Sequence, residues 1–103
     1  MRMFEQALKD LMEERRPKET RDLKKRGKFQ ELLTEVEDRC EGQVHHEVQR
    51  NNDPEMPFRE RMNRIHQAKA AMERQLLDDL NQMVTPESEE TSPLEETWPS
   101  ALA

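Results

Sequence analysis

Apolar side chains recur at helical spacing from Phe58 to Met83, and this is the strongest pattern in the chain. Every third or fourth position is apolar, and the residues between are mostly good helix formers, with no Gly or Pro. The spacing predicts an amphipathic helix over residues 57–84. Its apolar stripe consists of Phe58, Met62, Ile65, Ala68, Met72, Leu76, Leu80 and Met83.

A second stripe with the same spacing comes earlier in the chain and predicts a helix over about residues 28–50. Gly42 is the one position at which this helix could break, because Gly costs about 1 kcal/mol relative to Ala inside a helix. Residues 51–57 contain Asn, Asp and two Pro, which favour a turn. We therefore expect a long antiparallel, coiled-coil-like hairpin over residues 29–84. The stripe of its first helix consists of Phe29, Leu32, Leu33, Val36, Cys40, Val44 and Val48.

Residues 1–16 have the apolar spacing of a short amphipathic helix. Pro17 disfavours helical geometry at the residue before it, so we expect this helix to end at Arg16. Residues 17–28 contain Leu23 as their only apolar side chain. The sequence therefore predicts a basic connector with no apolar face to bury.

Residues 85–103 contain three Pro and five Glu but no Lys or Arg, a composition typical of a disordered acidic tail. Leu94 and Trp98 are four positions apart, so one turn of induced helix would place both on one face. Trp is enriched at binding hot spots, which favours a short docking motif. The alternative is that Trp98 folds back onto the helical body.

Composition restricts the fold to helices. Only 32% of the residues are hydrophobic and 39% are charged, whereas ordinary globular domains have about 45–50% and about 25%. Three Phe, one Trp and no Tyr cannot fill the layered core of an α/β enzyme, and two Gly leave few tight turns for a β fold. We therefore predict an all-α chain.

A hairpin that buries one stripe per helix should be only marginally stable by itself, because chain ordering costs more than so few apolar side chains return. Docking of the first helix, a homodimeric four-helix arrangement or a partner protein would each supply the missing contacts. We expect self-association or a protein partner, and hence a non-enzymatic interaction module such as a regulator, adaptor or assembly factor. The candidate contact residues are Phe29, Leu33, Val36, Phe58, Met62, Ile65, Met72 and Leu76, with Leu94 and Trp98 in the tail.

Charge is unevenly distributed, and this raises an alternative function. Residues 15–28 carry eight cations and two acids, whereas residues 29–53 carry seven acids and two cations. The basic run could neutralise phosphates of a nucleic acid, although it has no Asn to read a base edge and no aromatic residue to stack on bases. The favoured interpretation is a solvated linker or a strip that pairs with the acidic block, and a contact to an anionic membrane surface is a further alternative. The nucleic-acid alternative depends on Arg15, Arg16, Lys18, Arg21, Lys24, Lys25, Arg26 and Lys28.

The motifs of enzymes and metal sites are incomplete. His46 and Glu47 begin the zinc-protease motif H-E-x-x-H, but Arg50 occupies the position of the second His. Cys40 and His45 are five positions apart, which is off one helical face, and there is no second Cys. No Gly-rich phosphate loop is present. We expect no catalysis, no metal, no cofactor and no small-molecule substrate.

Charged residues near the N-terminus interrupt any apolar signal segment, and no run of 18 apolar residues occurs. A lone thiol forms no internal disulfide and stays reduced in the cytosol or nucleoplasm. The expected location is therefore the cytoplasm, or the nucleus in a eukaryotic cell.

Overall fold

The computed structural model describes residues 2–87, 93 and 94, and their regular structure is four α-helices. These are α1 (Met3–Arg15), α2 (Pro17–Lys25), α3 (Phe29–Arg50) and α4 (Phe58–Met83). The described residues contain no strand, so the prediction of an all-α chain is confirmed. The two long helices agree with the predicted ranges to within one residue at each end.

α3 continues through Gly42 without a break. Gly42 lies on an open side of the helix, where an added Cβ atom would meet no other atom within 4 Å. Cys40 and Val44, which flank it, are both buried. Packing on either side of Gly42 therefore holds the helix together and offsets the low helix propensity of glycine.

α3 and α4 pack side by side. Near the turn that joins them, Arg64 Nε donates a 3.1 Å hydrogen bond to Asn51 Oδ1. Further along, Val48 of α3 and Ile65 of α4 line the same groove. Asp79 of α4 is close enough to Cys40 of α3 for its charge to raise the pKa of the thiol. These pairs place the end of α3 beside the start of α4, as an antiparallel hairpin does.

The apolar core lies toward the end of the hairpin that is remote from the 51–57 turn, where α1 and α2 pack against it. Its buried residues come from all four helices and from the segment after α4. They are Phe4, Leu8, Met12, Leu23, Phe29, Leu32, Leu33, Val36, Cys40, Val44, Leu76, Leu80, Val84 and Leu94.

α1 is the helix that completes this core. Its buried residues Phe4, Leu8 and Met12 recur every fourth position and therefore lie on one face. At its start, the Phe4 backbone N–H is bonded to Glu37 in the middle of α3. At its end, Arg15 is bonded to backbone carbonyls at the end of α4. α1 consequently runs parallel to α4 and antiparallel to α3, and its docking supplies part of the apolar contact that the hairpin lacks.

The structure corrects the expectation that residues 17–28 have no apolar face to bury. Residues Pro17–Lys25 form helix α2, with Pro17 at the start, and both Thr20 and Leu23 are buried. One buried leucine is enough to hold α2 on the body, because α2 packs against both α1 and α3 and Leu23 enters the core that these helices share. Gly27 then adopts φ of 69°, a left-handed conformation that favours glycine and lets the chain turn into α3.

The N-terminus of α1 is capped by a carboxylate from another helix. α1 has no side-chain cap of its own. The Glu37 carboxylate accepts hydrogen bonds from the backbone N–H groups of Phe4 at 3.0 Å and Glu5 at 3.2 Å. The Glu37 residue is only 1% exposed. A buried acceptor on α3 thus satisfies two donors that would otherwise lack partners, and it fixes the position of α1 along α3.

Two residues of the predicted disordered tail, Glu87 and Leu94, pack against the helices. Glu87 accepts hydrogen bonds from the backbone N–H groups of Lys18 and Glu19 and so caps α2, which has no side-chain cap of its own. Leu94 is fully buried. The physical reason is that Glu87 supplies the cap that the start of α2 lacks, and Leu94 adds an apolar side chain to the shared core. Residues 88–92 and 95–103 of the predicted tail, which include Trp98, lie outside the described residues.

We predict that Glu37 gives the protein a distinctive pH dependence of stability. Burial, together with the nearby Glu41 charge, raises the pKa of the Glu37 carboxyl above its ordinary value of 4.5. The folded state therefore binds this proton more tightly than the unfolded state, and its contribution to stability is lost as pH rises through the raised pKa. Because Gln cannot ionise, the free energy of unfolding of Glu37→Gln should rise relative to that of the wild type as the pH increases from about 4.5 through the raised pKa. Each unit of pKa difference is worth about 1.4 kcal/mol.

Urea unfolding followed by circular dichroism across this pH range measures the difference. Glu35→Gln, the same substitution at an exposed position of α3, controls for the change in net charge. A constant difference between Glu37→Gln and the wild type at every pH would contradict the prediction.

Candidate interaction surfaces

α1 covers only part of the α3–α4 hairpin. Its first residue, Met3, lines a groove together with Ile65, His66 and Lys69 of α4. From this groove, residues 44–50 of α3 and 58–69 of α4 extend past the start of α1 toward the connecting turn. We call these two segments the open arm. Since the described molecule is 54 Å long and only 24 Å and 20 Å across, the arm forms one end of an elongated body.

The open arm carries apolar side chains that the described residues do not bury. Phe58 is 70% exposed, although Leu76 on the same helical stripe is buried at 2%. Met62 and Ile65 are half-buried and follow Phe58 at spacings of four and seven residues, which places them on the same face of α4. Met3, at 42% exposed, adds a further large apolar side chain at the edge of this face.

A groove of about 650 Å³ runs between α3, α4 and the start of α1. Val44, Val48 and Ile65 supply apolar lining, and Met3 and Phe4 close one end. Polar and charged residues form the rest of the lining. They are Arg2, Glu37, Glu41, His45, His66, Lys69 and Glu73.

The charged side chains around the groove differ in how they are paired. Arg2 donates a 3.0 Å hydrogen bond to Glu41 and forms an exposed ion pair with it. Lys69 and Glu73 form no ion pair with any described residue. At the start of α4, the Arg61 guanidinium lies 5.7 Å from the centre of the Phe58 ring. This stacking holds a cation beside the exposed aromatic side chain.

The residues that were predicted to contact a partner differ in their exposure to solvent. Phe29, Leu33, Val36, Leu76 and Leu94 are at most 6% exposed and pack in the chain's own core, so they present no free surface in this fold. Phe58, Met62 and Ile65 lie on the open arm. Met72 is half-buried against the core, and Trp98 lies outside the described residues.

Two of the eight cations in the basic segment hold the fold together. Arg15 donates hydrogen bonds to the backbone carbonyls of Asn81 at 2.7 Å and Val84 at 3.0 Å, at the C-terminal end of α4. Arg16 is buried, pairs with Glu19 at 2.8 Å and donates to the backbone carbonyl of Thr85 at 2.9 Å. Both arginines therefore have structural partners.

Three further cations of this segment form surface ion pairs. Lys24 pairs with Glu13 and lies 5.4 Å from the centre of the Phe29 ring. Arg26 pairs with Asp22 at 2.9 Å, and Lys28 pairs with Glu31 at 3.7 Å. The remaining cations, Lys18, Arg21 and Lys25, are exposed and form no ion pair with a described residue.

Cys40 belongs to the core and not to a reactive site. It is fully buried, and burial together with the charges of Glu37 and Asp79 raises the pKa of its thiol to about 12. A thiol that remains protonated is a poor nucleophile and a poor metal ligand. Its role in the described fold is to pack between α3 and its neighbours.

Other surface features offer no built site. A second depression on the outer flank of α3 is lined by Gln30, Glu31, Thr34, Glu35, Asp38 and Arg39, all from that one helix, and is ordinary helix surface. Within the described residues, His, Cys, Asp and Glu side chains do not gather in groups of three suited to a metal ion. Of the helices in this part of the chain, none is both long and apolar enough to cross a membrane.

Sequence reasoning missed Met3 and Val48 as apolar lining of the groove. Both residues belong to predicted apolar stripes, so their character was visible. The place at which α1 begins on the hairpin decides that they line an open groove, and no local pattern encodes that place.

In comparisons with known proteins, the chain matches no family model, no curated protein and no solved structure.

We predict that Arg16 and Arg21 differ sharply in their contribution to stability. Arg16→Gln breaks a buried ion pair and should lower the free energy of unfolding by about 3 kcal/mol. Arg21→Gln changes an exposed side chain and should lower it by less than about 0.5 kcal/mol. Urea unfolding of the two variants, which carry the same change of charge, measures the difference. Equal destabilisation by both would contradict the structural role assigned to Arg16.

Proposed function

We propose that this protein is a non-enzymatic protein-interaction module that docks through the open arm, and that it acts as a small regulator, adaptor or assembly factor. The observation that carries the proposal is the 70% exposure of Phe58 at the start of a face that continues through Met62 and Ile65 into the groove. A contiguous apolar surface with a polar rim is typical of a docking site.

The contrast between the two ends of the hairpin supports this proposal. At the core end, the chain covers its own apolar stripe with α1, α2 and Leu94. At the arm end, the stripe of α4 continues with the same residue types, but no described segment covers it. An aromatic ring that is largely exposed and held by Arg61 is the kind of side chain that dominates binding energy at interfaces.

The position of Glu37 argues for binding rather than catalysis. It is the buried carboxylate beside the groove, and both of its hydrogen bonds go to the backbone at the start of α1. A carboxylate engaged as a helix cap has a structural task, whereas general acid–base catalysis requires a group that reaches the substrate.

A cytoplasmic location, or a nuclear one in a eukaryotic cell, would keep the Cys40 thiol reduced.

Nucleic-acid binding through residues 15–28 has less support. Five of the eight cations in that segment already contact carboxylates or backbone carbonyls. Phosphate binding would rest chiefly on Lys18, Arg21 and Lys25, and few phosphate contacts give weak binding with a shallow salt dependence.

We predict that a photo-crosslinking side chain at position 58 forms a discrete protein adduct in cells that express the protein. The matched position is Arg74, which is exposed on the opposite side of α4. Purified wild-type protein should compete with the adduct at position 58, whereas Phe58→Ser should compete poorly because the aromatic contact is lost. Failure to form an adduct at position 58, or adducts of equal yield at positions 58 and 74, would overturn the proposed function.

A further inference from the structure

We draw no further inference here: the strongest candidate, the apolar face of the open arm formed by Phe58, Met62 and Ile65, carries none because nothing in the described part of the chain shows what covers it.

Discussion

The structure depends on the Glu37 carboxylate, which is buried in the middle of α3 and binds the first turn of α1. Its two hydrogen bonds, at 3.0 Å and 3.2 Å, satisfy backbone donors that α1 cannot satisfy with a side chain of its own. Because this contact fixes where α1 begins on the hairpin, it also fixes where the covered surface ends. The open arm therefore follows from the position of one capping residue.

The opposite end of the body is held by the same type of interaction, here with side chains of both charges. Arg15 and Arg16 bind backbone carbonyls at the end of α4 and just after it, and Glu87 binds backbone N–H groups at the start of α2. Charged side chains thus join helix ends that are remote in sequence, in each case with the sign that the helix dipole favours. A chain with a small apolar core gains order from these contacts, since each one both satisfies backbone groups and positions a whole helix.

The sequence predicts the two long helices well, because their apolar stripes are long and regular. It does not show which parts of a stripe are covered. Phe29 and Phe58 are similar first residues of similar stripes, yet one is 6% exposed and the other 70%. The difference arises from where the other helices dock on the hairpin. Glu37, which positions α1, lies four residues after Leu33 and three before Cys40 and so falls on the apolar face of α3, unlike the exposed Glu35. The spacing marks this position as buried, but it does not show that the carboxylate binds the start of α1. In the same way, Arg16 continues the four-residue spacing of Phe4, Leu8 and Met12, but that spacing does not show that its guanidinium binds the segment after α4. A lone Leu23 provides no periodic signal for α2.

Residue-resolved hydrogen exchange tests most directly whether Glu37 sets the position of α1. The first N–H groups of a helix usually exchange rapidly because they have no partner within the helix. If Glu37 binds them, the amides of Phe4 and Glu5 should be protected in the wild type, and Glu37→Ala should remove this protection while the middle of α3 stays protected. Rapid exchange of Phe4 and Glu5 in the wild type would contradict the account.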